Sequence, residues 1–266
     1  MPGSAGEDRP WWLYAFVLLM LAGGVLIAVN GLYREVFGIV SKGIGITVFV
    51  TLTGFALATA LGLGIALLGL SGSLVARQVS RFYVEIIRGI PILVLLFYVA
   101  FVGAPAIIAL VNTLCTPLID AGAMTKFVIR DFSLMWRAIL ALMIGYAAFI
   151  AEIFRAGFQS VEIGQIEAAK ALGLSRFHRF RFIIFPQAIR TILPPLSNDF
   201  VSMVKDSSLV SVLGVADITQ MGKVYAASSF RFFETYSIVT YVYLLLTIGL
   251  SLILRRLEAR MRAQRR

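Results

Sequence analysis

This sequence predicts an all-α fold, a polytopic membrane bundle of about six transmembrane helices with a structured loop on one side. Three observations carry the prediction. Of 266 residues, 59% are hydrophobic and 14% charged, and mean hydropathy is +0.90; soluble domains run at about 45–50% apolar and about 25% charged. The apolar residues gather in long uncharged runs, each near the ~20 residues that cross ~30 Å of hydrocarbon at ~1.5 Å per residue. The net charge of +10 falls unevenly between those runs, the pattern of a membrane protein with basic loops rather than a nucleic-acid binder. Disordered, collagen-like and disulfide-scaffold classes are excluded. Cys115 is the single cysteine and His178 the single histidine, so neither an internal disulfide nor a His-rich metal site is available. No nucleophile–base pair or metal constellation marks a catalytic centre.

The first span is predicted over Trp11 to Tyr33, led by Pro10 and the interfacial pair Trp11 and Trp12, as a retained anchor helix rather than a signal peptide. The second is expected between Gly43 and Ala76, where Gly62, Gly64 and Gly69 suggest close helix packing. A third uncharged run, Gly89 to Ile119, contains Pro91, Pro105 and Pro117, so its outer part is expected to break. The fourth covers Leu134 to about Ile153, edged by Arg137 and Glu152. The fifth, about Ile183 to Val204, holds Arg190, Pro194, Pro195 and Asp199; the sixth is Phe232 to Leu254. An even number of spans puts both termini on one side. With the termini inside, the cytoplasmic segments hold 16 of the 24 Lys and Arg, so the positive-inside rule assigns both ends to the cytoplasm. Leu209 to Tyr225 is then an extracytoplasmic segment.

The cytoplasmic loop from Glu152 to Pro186 is too long for a tight turn and too apolar for a solvated linker. Ser160 to Leu172 reads as a helix, with Ile163, Ile166, Ala169 and Leu172 at helical spacing. Gly173 stops it and Ser175 caps a second helix from Arg176. By periodicity alone, the pair is equally a projecting knob or an amphipathic element lying on anionic lipid.

Within EAAKALGLSRFHRFRFIIFPQAIR, the run Glu167-Ala168-Ala169 followed by Gly173 resembles the EAA loop of ABC importer permeases. Two further blocks resemble the polar amino acid subfamily. One is Tyr83-x-Glu85-x-x-Arg88-Gly89-x-Pro91. The other is Leu193-Pro194-Pro195-x-x-Asn198-Asp199-Phe200, followed by Lys205-Asp206-Ser207-Ser208-Leu209. The resemblance covers about Ile44 to Leu254. It implies a five-helix type I core at 44–254 with a coupling loop about 155–186, an additional helix within 1–43, and a basic cytoplasmic tail at 255–266. It further implies a bacterial inner-membrane subunit carrying a polar amino acid or similar zwitterion. Its partners would be two cytoplasmic ATPase subunits, a second permease copy or homologue, and an extracytoplasmic substrate-binding protein. Glu167, Ala168, Ala169 and Gly173 would form the ATPase contact, with Arg176 and Arg179 beside it. ATP and Mg would sit on the ATPase and no cofactor on this chain. Consistent with that, the segment nearest a phosphate-binding loop begins at Gly38 but has Ile44 where lysine is required.

Charge inside a span is costly, which makes each instance a functional candidate. Asn198, Asp199 and Ser202 are expected to line a substrate pathway, with Asp199 facing an ammonium or guanidinium group. A purely structural pairing of Asp199 with Lys205 is the competing expectation. Pro194 and Pro195 would free backbone carbonyls beside it. The i,i+3 pairs Glu85–Arg88 and Glu152–Arg155, with Pro91, fit structural or gating contacts at the inner mouth. A proton- or ion-coupled carrier using Asp199 would leave the EAA knob without a purpose, and a lipid-lying scaffold would leave Asp199 without one.

Overall fold

The computed structural model describes residues 11–263, with side chains to residue 260, and every described element is helical. Expectations resting on Arg9, Pro10, Arg262, Arg265 and Arg266 lie outside the described side chains.

Helix α1 covers Trp11–Val29. It stops short of Tyr33 because Asn30 is extended and its side chain accepts a hydrogen bond from the Leu32 N–H at 3.0 Å, capping a new helix. That helix, α2 (Gly31–Val40), passes through a 3-10 turn at Ser41–Gly43 into α3 (Ile44–Gly69). The second span is therefore part of a 39-residue rod, Gly31–Gly69, rather than starting at Gly43. Arg34, Glu35 and Lys42 interrupt the apolar run without breaking the helix; the Tyr225 hydroxyl donates to Glu35 at 3.3 Å.

The rod ends at Gly69, not Ala76. Ser73 caps α4 (Leu74–Gly89), a helix the sequence reading does not assign. One exposed stripe of α4 is apolar (Val75, Val79, Phe82, Ile86), and Ser80 on the opposite side donates to the Ile65 carbonyl at 2.8 Å. Pro91 separates α4 from α5 (Ile92–Tyr98), because a proline disfavours helical backbone in the residue before it. A π-turn at Val99–Gly103 leads to α6 (Ala104–Leu114), and the expected outer break falls at Cys115, before α7 (Thr116–Asp120).

Helix α8 (Leu134–Gln159) forms the centre and runs beyond Ile153. Gly54 of α3 faces Leu142, and Gly62 faces Ile150, Ala147 and Ala151, so the two helices run parallel in register. Small residues let backbones approach where lipid supplies no hydrophobic drive for association. Gly69 likewise admits Ser80, whereas a Cβ at Gly64 would meet nothing within 4 Å among the described residues of this chain. Arg137 enters the bundle with its charge satisfied: its guanidinium donates to the carbonyls of Phe132 (2.7 Å) and Ile129 (2.5 Å).

After α9 (Ile163–Ala171) and α10 (Arg176–Arg179), a π-turn at Phe180–Ile184 carries the chain without interruption into α11 (Phe185–Asp206). Pro194 and Pro195 lie inside α11 without breaking it. α11 runs against α8, with Ile192 on Gly157 at one end and Asp206 on Tyr146 at the other. A 3-10 segment (Ser207–Leu213), α12 (Ile218–Ser229) and α13 (Phe232–Ala263) complete the chain. By length and composition five stretches can cross a membrane: Trp11–Val29, Gly31–Gly69, Ile92–Leu114, Leu134–Gln159 and Phe232–Arg260. Helix α11 is long enough, yet carries Arg190, Asp199, Lys205 and Asp206.

The start of α12 crosses the Gly31–Gly69 rod at Gly43, where a Cβ would overlap the backbone of Asp217 and Ile218. Thr47 accepts a hydrogen bond from the Ile218 N–H at 3.2 Å in the same crossing. Gly43→Ala is expected to cost about 1–3 kcal/mol by overpacking, measurable as a lower thermal unfolding midpoint in detergent.

Candidate functional site

A cavity of about 550 Å3 opens between α8, α11 and the junction of α4 with α5. From α11 it receives Asp199, Ser202 and Asp206, at i, i+3 and i+7, hence on one face. From α8 come Gly145, Tyr146 and Phe149, and from the junction Arg88 to Ile92. Gly145 leaves room for Ile92, whose Cδ1 would lie 2.6 Å from a Cβ there.

The charged groups of this cavity are differently held. Arg88 stands over the Phe149 ring, its guanidinium carbon 5.4 Å from the centroid, a cation–π placement at the cavity wall. The Tyr146 hydroxyl donates to Asp206 Oδ2 at 2.7 Å. Asp199 Oδ2 is buried and has no hydrogen-bond partner. Lys205, the expected structural partner of Asp199, is exposed and forms no ion pair with it among the described residues. A buried carboxylate oxygen left unpaired costs ~1–3 kcal/mol or more, which a structure tolerates where a ligand can complete it. Asn198, expected beside Asp199, is exposed and does not line the cavity, because it is 100° away around the helix at 3.6 residues per turn. Pro194 and Pro195 also lie outside it.

Arg88 borders a second, smaller cavity of about 360 Å3, lined by Arg77, Arg81, Glu85, Glu152 and Arg155. Of the two expected pairs, Glu152–Arg155 forms at 2.5 Å. Glu85–Arg88 does not appear among the described ion pairs; the Arg88 guanidinium lies over the Phe149 ring instead. A larger groove of about 810 Å3 between α1 and α13 includes Leu19, Gly23, Leu26, Phe233 and Tyr241 and has no charged lining residue, so it does not suit a charged solute.

At the end of the bundle where α8 stops, α9 and α10 project as a knob. Gly173 takes φ +73°, and its N–H donates to the Lys170 carbonyl at 2.9 Å while the Leu174 N–H reaches Ala169 at 3.1 Å. This closes the helix as expected of a glycine at that position. Ser175 accepts from the His178 N–H at 3.3 Å and caps α10. Glu167, Ala168, Arg176, Ile163, Leu172 and Phe177 are exposed, and Arg179 is half-buried. Ala169, expected on the contact surface, is instead 3% exposed; it packs the knob onto its own stem. The stem is braced by Gln187 donating to Gln165 at 2.6 Å. A ladder of aromatics, Phe154–Phe158–Phe180–Phe185, joins it to α8 with centroid steps of 6.1, 5.8 and 5.9 Å.

Sequence reasoning names Asp199 and Ser202 for the pathway, gives Arg88 and Pro91, which also line the cavity, only a structural or gating role, and misses Tyr146, Phe149 and Asp206. A signal existed for Asp206, an acid seven residues after Asp199 on the same helical face. Tyr146 and Phe149 sit in an apolar span and carry no such signal. Among the described residues no cluster of His, Cys, Asp or Glu could hold a metal.

A helical bundle with a charged cavity among its helices and a helical knob at one end fits the membrane-spanning subunit of a transporter. The solved structures agree. The fold matches the crystal structure of an amino acid ABC transporter with histidines, at 33% identity and TM-score 0.68, over 86% of this chain and 95% of that one. It also matches the MetNI methionine ABC transporter in inward-facing form, a likeness of fold only at 19% identity (TM-score 0.63; 84% of this chain, 96% of that one). Residues 58–263 match the binding-protein-dependent transport system inner membrane component, and the chain belongs to that family of ABC transporter permeases.

Among its relatives, the glutamine transport system permease protein of Escherichia coli K12 is 36% identical over 221 residues, 83% of this chain and 92% of that protein. The octopine transport system permease protein of Rhizobium radiobacter is 34% identical over 232 residues, 87% of this chain and 89% of that protein. The chain is a permease subunit of an amino-acid ABC importer and a transport component rather than an enzyme.

Proposed function

We propose that this subunit moves its substrate by alternating access through the Asp199 cavity, driven by an ATPase that grips the α9–α10 knob. One observation carries the reading: from Arg176 to Asp206 the chain is a single uninterrupted helical rod. One end of the rod is in the knob and the other bears Asp199, Ser202 and Asp206, so a displacement of the knob is delivered to the cavity wall by a packed element. Glu167, Ala168 and Arg176 present the docking face, Gly173 shapes its corner, and Arg179 supports it from the stem. Glu85, Arg88, Glu152 and Arg155 form the gate region at the inner mouth, with Pro91 setting the break that places Arg88.

In this reading the transmembrane domain is 44–254 with its coupling loop about 155–186. Both termini are cytoplasmic, and α1 and the tail at 255–266 flank the core. The functional unit is a dimer with itself or a homologue, carries two ATPase subunits, and receives substrate from an extracytoplasmic binding protein. The test is Asp199→Asn, which keeps the shape and removes the charge. Uptake in proteoliposomes is expected to fall at least about tenfold, the loss of one charge-assisted contact of roughly 1.5–3 kcal/mol, with ATPase association unchanged. Uptake at the wild-type rate would remove Asp199 from the pathway.

A further inference from the structure

The groove of about 810 Å3 between α1 and α13 has no part in moving a charged solute, yet its lining is sorted by polarity. Both walls are helices long and apolar enough to cross a membrane, so the medium at the groove is lipid. The walls meet at a crossing where Gly23 seats the Tyr241 ring, whose Cε2 would lie 2.6 Å from a Cβ there. The Tyr241 hydroxyl donates to the Met20 carbonyl at 3.1 Å. Met20 is the one buried residue of α1, so the bundle covers little of that helix.

Along α13 the lining runs from Phe233 to Leu244, about 11 residues or ~16 Å at ~1.5 Å per residue, close to half of a ~30 Å hydrocarbon core. At the Phe233 end stand the hydroxyls of Tyr33, Tyr236 and Ser237; none donates to a described residue, whereas that of Tyr241 is spent on Met20. Arg34, exposed beside Tyr33, reaches the Ala28 carbonyl at the end of α1. It forms no ion pair among the described residues. Its neighbour Glu35 accepts from Tyr225, and Arg231, close to Phe233, pairs with Glu234 at 3.6 Å.

We propose that this groove is a binding site for one glycerophospholipid, which packs α1 onto the bundle. The phosphate meets Arg34 in a charge-assisted contact. The ester carbonyls accept from the free hydroxyls, and an acyl chain fills the groove toward Leu19 and Leu244. Hydrocarbon gains little by leaving bulk lipid for an apolar groove. The phosphate and hydroxyl contacts therefore select the ligand, at the interfacial depth where tyrosine suits a membrane. With both termini cytoplasmic, the lipid comes from the outer leaflet.

The test is a lipid titration of the permease with its ATPase, delipidated in detergent and followed by native mass spectrometry. Phosphatidylglycerol is the probe, and a diacylglycerol with the same chains is its phosphate-free counterpart. Phosphatidylglycerol is expected to saturate at one molecule per permease copy, with the diacylglycerol at least about tenfold weaker, a factor of ~1.4 kcal/mol. Arg34→Gln should weaken phosphatidylglycerol by a similar factor and leave the diacylglycerol unchanged. Ala22→Trp and Thr240→Trp fill the groove from exposed lining positions and should abolish the saturable site. Leu18→Trp, on an exposed part of α1 outside the lining, should retain it. Unsaturable uptake of both lipids alike would overturn the proposal, as would a saturable site that survives Ala22→Trp. Absence of bound lipid, with Ala22→Trp separating two permease copies, would overturn it by assigning the groove to a second copy. No readout involves the transported solute, so each outcome leaves the Asp199 pathway to its own test.

Discussion

Ala168→Trp will separate this permease from its ATPase while leaving the membrane bundle folded. Ala168 is exposed on α9, beside Glu167, and its neighbour Ala169 is packed inward. A bulky side chain at 168 therefore enlarges the outer face of the knob without disturbing the stem. Truncating or blocking a central interface position costs about 2–4 kcal/mol, so the ATPase is expected to bind about a hundredfold more weakly and ATP-dependent uptake to vanish. Co-purification of the ATPase with the tagged permease measures the first effect and proteoliposome uptake the second. Gly173→Val attacks the same coupling from the backbone: φ +73° at Gly173 costs an L-residue about 1–2 kcal/mol, more for a β-branched one, and the corner opens. An Ala168→Trp permease that still retains its ATPase and transports normally would mean that the knob is not the docking element.

The second large effect lies inside the bundle. Gly157 sits near the end of α8, where α11 crosses, and a Cβ there would overlap Ile192 Cγ1 and come within 3.3 Å of the Ala188 carbonyl. Ile192 is fully buried and α8 is the most enclosed helix of the fold, so neither side can yield. Gly157→Leu is expected to cost about 3 kcal/mol or more, seen as loss of monodisperse protein in size-exclusion chromatography and of ATPase association. Ile192→Ala in the same chain removes the obstructing branch and should restore at least half of the folded yield, the non-additivity of residues in direct contact. Absence of rescue would place the defect elsewhere than this crossing.

How far the sequence reading reached depends on what each prediction used. Apolar runs led to the helices long and apolar enough to cross a membrane, because crossing hydrocarbon imposes a minimum length on any helix that does it. The second of them begins at Gly31 rather than Gly43, however, and the expected fifth, on α11, is not among them. Their ends were less legible. Asn30 breaks a continuous hydrophobic run by a capping bond, and Arg34 to Lys42 continue a helix that charge counting ended. Helix α4 was missed because its apolar stripe repeats at helical spacing among arginines, which lowers the local hydropathy without lowering helix propensity. The corner of the knob was legible, since Gly173 and Ser175 act through local backbone geometry that neighbouring residues alone decide. Its first helix starts at Ile163 rather than Ser160, and its second is not a separate short helix but runs on into α11.

The cavity divides the same way. That Asp199 is costly in a span follows from composition and hydrocarbon alone. That it lacks a partner, that Asp206 is held by Tyr146, and that Arg88 leaves Glu85 for Phe149 depend on which helices meet. By itself the sequence determined a membrane bundle, its apolar spans, and the glycine-cornered knob, because these rest on transfer free energy and on local conformational preference. Only the tertiary structure decided which charges share a cavity and which residue of the knob faces outward. Those are matters of helix rotation and crossing, set by glycines such as Gly54, Gly62 and Gly157 against side chains such as Met203, Ile150 and Ile192, distant in the chain but adjacent in space.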